Sequence, residues 1–111
     1  MTSEVMIDER IAYAIEHRRQ LEIRYVVGPQ SRGPRVVNPH VVFTASTGAL
    51  SLHAVQVSGF SSSGLAAPAW RSFDLARVWV IKLLDTTFEI DEELNLSNGE
   101  LYTEIHLAVT S

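Results

Sequence analysis

Residues Trp70 to Phe88, WRSFDLARVWVIKLLDTTF, cannot form one straight strand. Two-residue alternation would place Arg71, Phe73, Leu75 and Arg77 on a single face, half apolar and half charged. A bend near Asp74, Leu75 and Ala76 removes the conflict. The stretch then predicts a short strand, a tight turn and a longer buried strand. Phe73 and Leu75 turn inward, and Arg71 and Arg77 flank the turn, free to reach a common outside point. A chain built around such a bend favours a small, strongly curved sheet over a flat one.

The remaining segments are short and suit that curvature. Residues 4–19 read as an amphipathic helix, with Ile7, Ile11, Ala14 and Ile15 on one face. Thr2 or Ser3 can cap it, and acids early with bases late match the helix dipole. Leu21–Val27 alternates as a half-buried strand, and GPQSRGP follows as a loop. Arg35–Ala45 is the next strand; Pro39 cannot donate to a ladder, so this strand is an edge or is bent there. Residues 45–48 form a hairpin turn into Ala49–Ser58, with Leu50, Leu52 and Ala54 on one face and Ser51, His53, Val55 and Val57 on the other. Residues 59–69 are a small-residue loop without the Gly-Lys-Ser/Thr of a phosphate-binding P-loop. Residues 89–100 are acidic with an Asn98-Gly99 turn, and Leu101–Thr110 is a final strand. The sum is mainly β with one N-terminal helix: five or six strands in a small, strongly bent barrel or partial barrel, the helix across one end. Residues 1–88 form the body, and residues 89–111 an acidic extension ending in a strand.

Composition narrows the chemistry. The 111 residues suit one domain. There is no cysteine, and the histidines at 17, 40, 53 and 106 lack zinc-site spacing, so neither metal nor cofactor is expected. No apolar run is long enough to span a membrane, and the N-terminus lacks a signal peptide's apolar core; a cytoplasmic protein is expected. The net charge of −4 is unevenly spread. Residues 1–84 carry nine Lys/Arg against six Asp/Glu, and residues 85–111 carry seven acids and no Lys/Arg. A mildly basic body can still take an anion, and the acidic tail reads first as a solvated surface segment.

Four pieces in order add a resemblance: AIEHRRQLEIRY (14–25), RVVNP (35–39), GALSLHA (48–54), and RSFDLARV (71–78) running on to LLDTTF (83–88). Together they resemble the WYL domain, a module of bacterial transcription regulators. Leu50-Ser51-Leu52 stands where the pattern has Trp-Tyr-Leu, and Asp74 where it has a basic residue. The resemblance implies a small Sm/SH3-like barrel that senses a ligand and signals to a DNA-binding partner. It also implies a ligand face that takes a nucleotide or a short single-stranded nucleic acid. The chain starts at the domain's own helix, so a stand-alone form is expected.

Arg35, Arg71 and Arg77 are the leading ligand candidates, because guanidinium groups fork onto phosphate or carboxylate oxygens. Judged on the residues alone, Arg77 pairing with Asp74 or Asp85 and Arg35 as a solvated strand end are preferred; the resemblance brings a ligand role for Arg71 and Arg77 to even terms. Ser51 and His53 share a strand face and join the ligand set, although His53 is first a half-exposed solvent-face histidine. His40 reads as a surface strand residue. Trp70 and Phe60, with Phe73, are stacking or interface candidates, and Trp79 reads as core. A Ser51–His53–Asp74 triad can be drawn, but no nucleophile elbow accompanies it, and the adjacent Glu92 and Glu93 are a weak acid/base pair. The expected function is a non-enzymatic sensor, expected to be a homodimer with no membrane contact. The acidic tail would lie near the basic face and compete with anions, and an apolar edge at the Pro39 strand could pair with a second copy. The alternative is a structural dimerisation or protein-interaction module whose arginines make interchain ion pairs.

Overall fold

The computed structural model describes residues 7–28, 33–60 and 68–110. Its elements are α1 (Glu9–His17), β1 (Arg19–Tyr25), β2 (Arg35–Thr44), β3 (Leu50–Gly59), β4 (Ala69–Asp74), a 3-10 turn (Leu75–Arg77), β5 (Val78–Thr87) and β6 (Glu104–Ala108). The fold is therefore mainly β with one helix. The strands form one antiparallel sheet in the order β4-β3-β2-β1-β5, with β6 added against β2. The sheet is not closed, because β4 and β5 stand at its two ends without pairing to each other.

The helix is shorter than its apolar spacing suggests. Asp8 caps it, its Oδ1 accepting the Arg10 amide at 2.8 Å, so the helix starts at Glu9. Thr2 and Ser3, the expected caps, lie outside the described residues. At the other end Arg18 adopts a left-handed φ of 52° and donates its amide to the Ala14 and Ile15 carbonyls, which stops the helix and sends the chain directly into β1.

Strand β2 is interior, not an edge. It pairs with β3 along its length on one side. On the other side it pairs with β1 at Arg35–Val37 and with β6 at Val41–Thr44. Pro39 sits between these two registers, where no N–H is needed, and the register against β3 shifts between Pro39 and Val41. The bend expected at Pro39 is thus present, whereas the open apolar edge is not: β6 fills it.

The core lies on the sheet face toward α1. Leu21, Ile23, Val37, Leu52, Ala54 and Phe73 pack there with Ile11, Ala14 and Ile15 of the helix. Phe88 and Val109 join them. On the opposite face of β2 a second cluster forms from Val41, Phe43 and Tyr102. The tail is therefore not merely a solvated segment, since Tyr102 and Val109 are buried.

The bend between Trp70 and Phe88 falls where the alternation failed. The Asp74 carboxylate accepts the Ala76 amide at 3.0 Å and caps the 3-10 turn. The strand after it is not a buried one. Trp79 is 67% exposed and Ile81 45%, because β5 ends the sheet and only its inner face meets the core. Two arginines bind β5 carbonyls: Arg10 of the helix donates to Val80 at 3.2 Å, and Arg19 of β1 to Leu84 at 2.7 Å.

Candidate functional site

Strand register divides the candidate residues between two faces. Directly paired side chains share a face, and neighbours along a strand alternate. Leu52 pairs with Phe73 and Ala54 with Arg71, on the core face; His53 pairs with Ser72 and Val55 with Trp70, on the other. Arg71 thus lies with the core face of β3 and β4, and His53 and Trp70 lie behind it.

On the core face the central group is Arg35. It is 5% exposed, not a solvated strand end. Its guanidinium lies 5.5 Å from the Tyr25 ring centre, 5.6 Å from Phe73 and 5.7 Å from Phe60, which is cation–π range for all three. Nη1 donates to the Gln56 Oε1 at 3.4 Å, and the buried Nε has no acceptor among the described residues. Gln56, itself 1% exposed, is held by donating to the Phe60 carbonyl at 2.9 Å. Tyr25 is fixed from both sides: its ring meets Phe73 edge-on at 4.9 Å and its hydroxyl accepts the Asp74 amide at 3.0 Å. Burial, and then the like charge of Arg71, pull the Arg35 guanidinium below its ordinary value. No carboxylate pairs with Arg35 among the described residues.

Arg77 is placed apart. It is exposed in the 3-10 turn, its carbonyl accepting the Val26 amide. Neither expected acid holds it: Asp85 pairs with Arg19 at 3.0 Å, and Asp74 caps the turn.

The second face is an aromatic and imidazole stack. The Trp70 ring centre lies 4.4 Å from His53 and 4.9 Å from His40, and His40 lies 5.0 Å from Phe88. His53 Nδ1 and the Tyr102 hydroxyl are 2.7 Å apart. Burial, and then the neighbouring His40, push His53 down to about 4. Burial also lowers His40 and raises Tyr102. Two adjoining concavities open here. One of about 150 Å³ is lined by His53, Trp70, Glu93, Leu94 and Tyr102 among others. The other, about 370 Å³, is lined by Val55, Pro68, Trp70, Asp91, Glu92 and Glu93. The acidic segment therefore covers the Trp70 face.

Ser51 is buried, its hydroxyl donating to the Ala49 carbonyl at 3.3 Å. With His53 turned to Tyr102 and Asp74 spent on the 3-10 turn, the three side chains of the drawn triad go to different partners. No group of three metal-ligating side chains occurs among the described residues.

Two participants were not singled out from sequence. His40, expected at the surface, is fully buried. Tyr102 stands out of phase with its apolar neighbours, and that mismatch was the available signal: it points to the opposite face from Leu107 and Val109. No family model, curated protein or solved structure matches the chain.

Proposed function

We propose that the protein is a non-enzymatic ligand-sensing domain of the WYL kind, acting in transcription regulation through a DNA-binding partner. Its open, bent sheet is read as a variant of the Sm/SH3-like barrel, and its setting as cytoplasmic. Among the described residues no helix is long and apolar enough to cross a membrane.

One observation carries the ligand assignment. Arg35 is a buried guanidinium with no carboxylate partner among the described residues, an Nε without an acceptor, and a second guanidinium, Arg71, as its electrostatic neighbour. Burying a charge is costly unless it is paired. Three rings and one glutamine offset part of that cost, and an anion shared by Arg35 and Arg71 offsets more. The ligand class is a nucleotide or a short single-stranded nucleic acid, whose bases the nearby Phe60 and Tyr25 suit. His53, Ser51 and Trp70 lie on the other sheet face, where His53 and Trp70 line the concavities that the acidic segment covers.

The test is a titration of a nucleotide panel and a labelled short oligothymidylate at rising salt, with wild type and Arg35→Met. Binding that weakens steeply with salt and disappears in Arg35→Met supports the reading. Absence of binding in every arm, or equal binding by Arg35→Met, overturns it. A second reading, a self-association module, has its own observation in the exposure of Trp79.

A further inference from the structure

The face of β1 and β5 turned away from the core is basic and apolar. Arg24 pairs with Trp79 and Glu22 with Lys82 across the two strands, so these four side chains share the face opposite buried Ile23. Trp79 is 67% exposed and Ile81 45%. Arg77, also exposed, lies two residues before Trp79. Arg24, Arg77 and Lys82 form no ion pair among the described residues, and by register Glu22 is the acid on this face. The strand edge itself is an unsuitable template, since two register shifts interrupt the pairing of β5 with β1 and distort its course. What remains open is the face.

The mixture on that face narrows its occupant. Cations beside an indole would suit a polyanion with stacking bases. Ile81 offers such a chain nothing, and Glu22 on the same face repels its phosphates. A protein surface that is both acidic and apolar satisfies the cations and the aliphatic groups together. This chain carries one. Glu89, Glu92, Glu93, Glu100 and Glu104 are exposed. Leu96, at 41%, and Ile105, at 37%, are exposed along the same segment. Within its own molecule that segment packs by Trp70 and His53, on strands at the far side of the sheet from β5.

We infer that the Trp79 face docks residues 89–105 of a second copy. Trp79 and Ile81 meet Leu96 and Ile105, and Arg24, Arg77 and Lys82 meet the glutamates. The two surfaces differ, so each copy gives its basic face to the other's acidic segment, and the reciprocal pair closes a two-fold dimer. The dimer rests on the self-association reading and does not require Arg35 to hold a ligand.

The test is sedimentation velocity of the full chain from about 0.05 M to about 1 M salt, a range over which exposed charges go from weakly to strongly screened. One variant carries Trp79→Ala with Lys82→Glu; a second carries Glu92→Lys with Glu93→Lys. All four positions are exposed, and circular dichroism checks the fold. Wild type is expected as a dimer at low salt that dissociates as salt rises. Each variant is expected as a monomer, and an equimolar mixture of the two regains a dimer by restoring one of the two contacts. A monomeric wild type at low salt, a dimer indifferent to the Trp79 variant, or a mixture that stays monomeric overturns the inference. So does shielding of Trp79 from a fluorescence quencher by oligothymidylate in place of self-association, which would assign the face to nucleic acid.

Discussion

The Asp91 amide donates to His40 Nε2 at 3.0 Å, which leaves the proton on Nδ1, donated to the Asn38 carbonyl at 2.8 Å. His40 is thereby held neutral, as an acceptor that ties the acidic segment to β2. His53 is held neutral beside it, pushed down to about 4 from an ordinary 6.5. Both folded values are depressed, so the unfolded chain binds more protons in this range. The stabilisation is fully present above the unfolded value and is lost as pH falls from 6.5 toward about 4. For His53 the loss amounts to at most about 3 kcal/mol. Urea unfolding at neutral and mildly acidic pH measures it. His53→Phe should flatten the slope, and a slope unchanged in that variant would remove His53 as its source.

Arg35→Met separates fold from ligand. The thioether chain fills the space among Tyr25, Phe60 and Phe73 without a charge to desolvate. Thermal stability should change by less than about 1 kcal/mol or rise. Anion binding should be lost. A fall of several kcal/mol, read by chemical unfolding, would make Arg35 a structural group.

Gly59 closes β3 at a φ of +99°, and an added Cβ would meet the Pro34 carbonyl oxygen at 2.3 Å and the Arg35 Cα at 2.7 Å. Both obstacles are backbone and cannot swing away. Gly59→Ala should therefore cost about 2–4 kcal/mol and displace Arg35 with it. Gly48, at φ +88° in the β2–β3 turn, faces open space, so Gly48→Ala carries only the conformational cost of roughly 1 kcal/mol. Paired melts of the two variants check the difference.

Local rules were legible in the sequence and long-range placements were not. The bend at Asp74–Ala76 followed from a clash of period and charge, and the structure places its 3-10 turn there. Pro39 announced a bend, but whether it marked an edge depended on which strand came to lie beside it. That strand is β6, more than sixty residues later. Trp79 reads as core because its neighbours are apolar. Only the order of strands, with β5 at an end, reveals that its face has no cover. For the candidate site, the types Arg35, Arg71, His53 and Trp70 were visible. Their division between two faces required the β3–β4 register.

The tail shows how far that dependence reaches. Read from charge, residues 89–111 are a detachable acidic extension. In the fold, β6 completes the flank of β2, Val109 enters the main core, Tyr102 closes the second cluster on Val41 and Phe43, and the Val109 amide is spent on the His40 carbonyl. Each large buried side chain removed costs about 2–5 kcal/mol, and a domain of this size holds only about 5–15 kcal/mol in all. A chain ending at Phe88 is therefore expected to lose cooperative unfolding and to be cut rapidly by protease. A milder variant isolates the link to the imidazoles: Tyr102→Phe keeps the ring against Phe43 and removes only the hydroxyl shared with His53. It should cost about 1 kcal/mol in urea unfolding. Were the chain ending at Phe88 to melt as sharply as the full chain, the acidic segment would be an appendage after all, and its glutamates would be free to move between the Trp70 and Trp79 faces.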